Sequence, residues 1–249
     1  MPNTPTNAVD SAETTTSGYA QLVLWHLTDS ALPTGGFAHS AGMEVSVQSG
    51  EIDSPDTYGR WLHGYLRQAS FSEALAVRFA VELQQAALSV EEKQEHLQAL
   101  DRLVHACQTP KQVRTSMNSM GKRMSRVAAI IAPEDPLVAH YKKSLTGRSL
   151  RGNPGIAAGL VLGSVGVGAR EAVTAYLMQM ANSMTQNAIR AIPLGQDAGQ
   201  RVLVQAYPAI TQAAQMTMAH DVSDLGVVAP RLEVAQMAHE SLISRMFMS

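Results

Sequence analysis

The chain has 249 residues, 45% of them hydrophobic, so it is long and apolar enough to bury a sizeable core and is not disordered throughout. Its one cysteine, Cys107, excludes an intramolecular disulfide and a multi-cysteine zinc site. The net charge of −2 hides a split, because residues 111–151 carry nine basic and two acidic side chains, giving +7 there and −9 elsewhere.

Residues 1–17 hold five Thr and two Pro with almost no bulky apolar side chain, so a disordered tail is expected there, followed by one domain over 18–249. Tyr19 to Thr28 is mostly apolar and predicts a short helix. Pro33 and the Gly35-Gly36 pair predict a loop over 29–37. A short helix is expected from His39 to Gln48, with Gly50 as its C-terminal stop. Ser54-Pro55 is a cap followed by proline at the first helical position, and Trp61, Leu62, Tyr65, Leu66, Leu75, Phe79 and Leu83 continue a helical spacing. Ser89 to Glu92 matches a capping box, and Thr109-Pro110 opens another helix that Pro133 ends. Asn153-Pro154 opens a glycine-rich apolar stretch. Ala169–Ala191 and Gln196–Ala219 read as helical, with Pro193-Leu194-Gly195 between them and a last segment from Pro230. No sustained period-two alternation occurs, so the prediction is an all-α single-domain bundle of roughly eight to ten helices.

The 18 uncharged residues between Arg151 and Arg170 approach the length of a membrane span. Six glycines, Asn153 and Pro154 lower their hydropathy, so a buried helix is expected and no membrane partner. Gly155, Gly159 and Gly163 share one face, which predicts close helix packing within the chain or at a dimer interface. There is no basic-then-apolar leader, so the cytoplasm is the expected compartment.

Sites for chemistry are scarce. Gly121-Lys122 lacks the rest of a phosphate loop, and the hydrolase elbow and the His-Glu-x-x-His helix are missing. No two of the eight histidines stand three to five residues apart. The His220-Asp221 doublet leaves one enzymatic alternative, an all-α metal-dependent hydrolase, beside a plain capping role. The basic residues after Lys111 form either a solvated face or a docking face for an acidic protein. A sequence pI near 6.4 and no interleaved aromatics argue against nucleic acid.

Four stretches together resemble the urease accessory protein UreF family. They are Asp29–Glu44 (DSALPTGGFAHSAGME), Arg114 to Ala128, Ala188–Gln196 (AIRAIPLGQ), and Ala229-Pro230 with the ending Arg245–Ser249. The family often has His-Pro where this chain has Asn153-Pro154, so no ligand role passes to that position. The resemblance implies an all-α, usually homodimeric chaperone without catalysis or a cofactor of its own. Its implied partners are UreD (also called UreH), the GTPase UreG and apo-urease, to which nickel is delivered.

Within these motifs, Pro33, Gly35 and Gly36 are expected to shape a rigid loop with Phe37 as its apolar plug and His39 bonding the loop backbone. Glu44 and Arg190 are expected either to form a buried ion pair or to meet a partner, and Gln196 belongs to the same motif set. Leu242, Ile243, Arg245, Met246, Phe247, Met248 and Ser249 concentrate apolar and interface-type residues at the end of the chain, where they must fold back or dock elsewhere. The resemblance points to docking on UreD.

Overall fold

The computed structural model describes residues 17–29 and 31–248. Among these, twelve α-helices and three short 3-10 turns form an all-α architecture with no strand. The helices are α1 (Gly18–Leu27), α2 (Met43–Gln48), α3 (Pro55–Ala69), α4 (Glu73–Gln85), α5 (Val90–Cys107) and α6 (Lys111–Ile131). Then follow α7 (Pro136–Thr146), α8 (Pro154–Ser164), α9 (Ala169–Ala191), α10 (Gln196–Gln205), α11 (Tyr207–Ala219) and α12 (Pro230–Ala238). Residues 1–16, where the tail is expected, lie outside the described residues; Ser17, expected in that tail, instead accepts a hydrogen bond from the Ala20 amide and caps α1.

The bundle has more helices than the periodicity predicts, for local reasons. The run after Ser54 breaks at residues 70–72, where the Ser70 and Ser72 hydroxyls donate back to the carbonyls of Arg67 and Gln68. The run from Gln196 breaks at Ala206, because Pro208 in the next turn has no N–H to continue the ladder. The helix expected from His39 starts only at Met43, since Ala41 and Gly42 hold positive φ values of 52° and 84°.

α8 is the centre of the core. Every residue from Pro154 to Gly163 is buried. Its glycine face lies against α4 of the same chain: a Cβ on Gly159 would sit 2.5 Å from the Val77 carbonyl oxygen and 2.7 Å from the Ala80 Cβ. Gly155 meets the Glu73 carbonyl and Gly163 the Gln84 side chain in the same way. Of the two readings of this face, the structure forms the intrachain one. On another side, Gly121 of α6 lets that helix press directly on the backbone at Gly152 and Asn153.

The turn into α8 is fixed by a buried carboxylate. Asp101 of α5 accepts hydrogen bonds from the Arg151 amide (2.7 Å), the Gly152 amide (3.0 Å) and the Tyr141 hydroxyl (2.8 Å). The Tyr141 oxygen in turn accepts from the Asn153 amide, and the Asn153 side chain caps Gly155 and Ile156. Asn153 is thus used as a helix cap. Asp101→Ala leaves three donors without their acceptor, and each buried unsatisfied group costs about 1–3 kcal/mol. A loss of about 3 kcal/mol or more is expected in urea denaturation, with a smaller loss for Asp101→Asn.

Candidate functional site

Two segments far apart in sequence meet on one side of the bundle: the loop before α2 and the end of the chain. The loop is shaped by left-handed backbone. Gly35 has φ +90° and opens the 3-10 turn Gly36–Ala38, and Gly42 has φ +84° and opens α2. A side chain at Gly42 would also collide with the backbone of α12 at Gln236. Leu32 anchors the loop in the core, while Pro33 is exposed. Ser30 lies outside the described residues.

Phe37 is not the expected plug. Leu32 is the loop side chain that enters the core, while Phe37 is 56% exposed on the 3-10 turn. Its carbonyl does the anchoring, accepting a 2.7 Å hydrogen bond from the Arg190 guanidinium of α9. One turn earlier, Asn187 donates to the His39 carbonyl at 2.6 Å and accepts from Arg190. The two α9 side chains clamp the loop by its backbone. Gln196 is exposed at the start of α10 and takes no part in this clamp.

Glu44 and Arg190 do not pair with each other. The Glu44 carboxylate is 5% exposed and faces the other way, onto the chain's end. It lies 2.9 Å from Nε2 of His239 and accepts from the Met246 and Phe247 amides, the latter at 3.2 Å. Nδ1 of His239 lies 2.9 Å from the Gln112 side-chain oxygen of α6. The Met248 amide donates to the Ala38 carbonyl at 2.7 Å, and Gln48 donates to the Ser244 carbonyl at 2.8 Å.

The tail is therefore docked on its own chain rather than free. Phe247 is 4% exposed and sits under the Arg190 guanidinium, 5.2 Å from ring centroid to carbon. Around this anchor Ile243, Met246 and Met248 are exposed. Arg245 is also exposed and donates to the carbonyls of Glu240 and Leu242. Ser249 lies outside the described residues.

Beneath the loop lies a cavity of about 90 Å³ whose lining includes Met120, Met124, Met180, Met184 and the Glu73 carboxyl. Burial raises the Glu73 pKa above the usual carboxylate range, and the Ser72 hydroxyl donates to it. Among the described residues no three His, Cys, Asp or Glu side chains converge as metal ligands. The His220-Asp221 doublet does not act as a unit: the His220 ring rests on Phe71, and Asp221 accepts from the Ser223 amide and hydroxyl in a cap. The hydrolase alternative finds no support in this arrangement.

His39 is buried in the loop. Burial, then the charges of Arg123 and His239, pull its imidazole from 6.5 down to about 4. Between those values the unfolded chain binds a proton that the folded chain refuses. The stability this group contributes is complete above pH 6.5 and is lost as pH falls toward 4. Urea midpoints measured across this range should fall on acidification, and His39→Gln should flatten that part of the profile.

His239, Asn187 and Asp101 escape sequence reading. Asn187 stands three residues before Arg190 on one helix face, a spacing that could have flagged it. His239 carries no local signal, since its partners Glu44 and Gln112 are more than a hundred residues away.

The fold and site define an all-α protein in which α9 clamps the loop before α2 and the end of the chain docks on the same bundle. The family model for UreF matches residues 52–207. Proteins named urease accessory protein UreF are similar over nearly the whole chain. The one from Paenarthrobacter aurescens (strain TC1) is 40% identical over 92% of this chain and 98% of its own. Those from Arthrobacter sp. (strain FB24) and Corynebacterium efficiens are 39% and 37% identical, covering 94% and 92% of this chain and 99% and 96% of theirs. The chain belongs to the UreF family of urease accessory proteins.

Proposed function

We propose that this chain is a non-catalytic scaffold in urease maturation, joining UreD and the GTPase UreG as a cytoplasmic homodimer so that nickel reaches apo-urease. The observation that carries the reading is the tail. Its buried anchor Phe247 is surrounded by exposed Ile243, Met246 and Met248. Exposed, adaptable apolar side chains on an otherwise fixed backbone are the make-up of a docking surface. The loop and tail together are the part offered to UreD. With the α8 glycine face occupied by α4, homodimerisation uses another surface.

The test is co-purification of UreD with the variant Met246→Asp/Met248→Asp. Both side chains are exposed, so the melting temperature should hold while UreD binding and urease activation in a reconstituted system are lost. Normal UreD recovery by this variant would place the interface elsewhere.

A further inference from the structure

The basic stretch of the sequence folds into one surface. α6 and α7 are consecutive helices joined by residues 132–135, and they pack on one another. On α6 the buried Met120, Met124 and Ala128 recur every fourth position. Lys122 and Arg126 stand midway between them, on the opposite side of the helix. On α7 Tyr141 and Leu145 are buried, and Lys143 stands midway between them in the same way. All three cations are exposed. A connection this short makes the two helices antiparallel neighbours. At a rise of about 1.5 Å per residue, Arg126 and Lys143 then lie level to within about one turn.

The far end of the pair closes on the turn into α8. A Cβ on Gly152 would sit 3.2 Å from Cδ2 of Leu145 and 3.5 Å from the Lys122 amide nitrogen. Arg148 and Arg151 are exposed in that turn. Arg123 belongs elsewhere, since its guanidinium lies against Gly35 of the loop. Neither α6 nor α7 contains an Asp or a Glu. The two carboxylates of the stretch, Glu134 and Asp135, lie in the connection, and Asp135 is used as the cap of α7. Among the described residues, Lys122, Arg126, Lys143, Arg148 and Arg151 have no carboxylate within ion-pair distance. Like charges gathered without counter-charges repel one another, so the fold gains nothing from the cluster.

We propose that the outer face of α6 and α7, with Lys122, Arg126, Lys143, Arg148 and Arg151 as its cations, docks an acidic surface of a partner protein. Charge complementarity selects the occupant. Outside residues 111–151 the chain carries a net charge of −9. An extended polyanion would run past the cationic face onto that acidic remainder, whereas a compact acidic patch on a protein need not. The one aromatic residue of the stretch, Tyr141, is buried, so the face has no platform for stacking nucleic-acid bases. A membrane surface asks for a row of apolar anchors. On the outer stripe of α6 and α7 only Ile130, one turn beyond Arg126, offers one. A second copy of the same face would set cations against cations. The surface is apart from the tail residues, and the inference stands whether or not the tail binds UreD.

The experiment uses the full chain and a fluorescein-labelled helical peptide of about 18 residues, with Glu at every fourth position and Ala and Gln elsewhere. Its control has the same composition in scrambled order. Binding is read by fluorescence anisotropy at roughly 0.15 M salt and should weaken as salt is added. Affinity should fall roughly tenfold or more in Arg126→Glu/Lys143→Glu, with circular dichroism reporting the fold. Arg170→Glu/Arg201→Glu makes the same change in net charge at exposed positions of α9 and α10 and should alter affinity by less than about twofold. If the first double variant misfolds, Lys143→Gln alone serves. Equal losses in the two double variants, equal binding of the scrambled peptide, or no binding of either peptide overturns the proposal. Tighter binding of a single-stranded RNA oligonucleotide that the Arg126→Glu/Lys143→Glu change abolishes overturns it in favour of nucleic acid. The same result with phosphatidylglycerol vesicles overturns it in favour of a membrane. Self-association of the chain that this variant abolishes overturns it in favour of a second copy. Tighter peptide binding after removal of residues 1–16 overturns it in favour of the chain's own start.

Discussion

Gly159→Leu should lower the melting temperature and urea midpoint more than any substitution on the protein's surface. The reason is geometric. Even an alanine there would place its Cβ 2.5 Å from the Val77 carbonyl oxygen and 2.7 Å from the Ala80 Cβ. The oxygen belongs to the backbone of α4 and cannot rotate away. α4 itself is held by Ala76, Val77, Ala80 and Val81, all fully buried, so the helices separate only by opening the core. Overpacking costs about 1–3 kcal/mol where side chains can give way. Here a leucine must displace backbone, and a loss above about 3 kcal/mol is expected against a total stability of about 5–15 kcal/mol. Because the contact lies within one chain, the drop should not depend on protein concentration. An unchanged melting curve would show that the helices part freely at this face.

That contact also shows what sequence can and cannot convey. The spacing of Gly155, Gly159 and Gly163 identifies a close-approach face without its partner, because spacing is a property of one helix while the choice between α4 and another subunit depends on the whole fold. Local signals carried over well. Ser54 caps α3 with Pro55 at its first position, Ser89 forms the capping box its sequence implies, and Gly50, with φ +76°, ends α2. α7 was legible and missed: Asp135-Pro136 is a cap followed by proline, and the Asp135 side chain accepts from the Leu137 and Val138 amides. The site was legible only as a set of motifs. Glu44, Arg190 and Phe247 stand out by residue type, yet which of them pairs with which is decided by long-range contacts. Arg190 takes the Phe37 carbonyl and the Phe247 ring, and Glu44 takes His239 and the tail amides.

Glu44→Ala should release the chain's end while leaving the bundle folded. The carboxylate holds His239 and the amides of Met246 and Phe247, and its loss strands His239 and the Phe247 amide in a buried place. Leaving a buried hydrogen-bonding group without its partner costs about 1–3 kcal/mol when the group must stay buried. Here it need not stay. Burying a phenylalanine contributes about 1.5–3 kcal/mol, so undocking Phe247 is the cheaper response and caps the damage. α12 has no buried residue but stays packed, with Leu232 against the core and Gln236 against Gly42, so the opening is confined to the segment after it. Local opening of this kind leaves the global unfolding free energy almost unchanged. The expected result is a melting temperature lowered by only a few degrees, with the Met246, Phe247 and Met248 amides losing roughly tenfold or more of their hydrogen-exchange protection. Phe247→Ala should give the same pattern by removing the anchor instead of the latch. Deleting residues 245–249 should likewise leave the helices folded, at the cost of the Phe247 burial. If Glu44→Ala instead unfolds the whole chain at the temperature where the wild type is stable, the end of the chain is an integral part of the core. If the tail amides keep their protection, the Arg190 clamp on Phe247 and the bond from Met248 to Ala38 are sufficient to hold it.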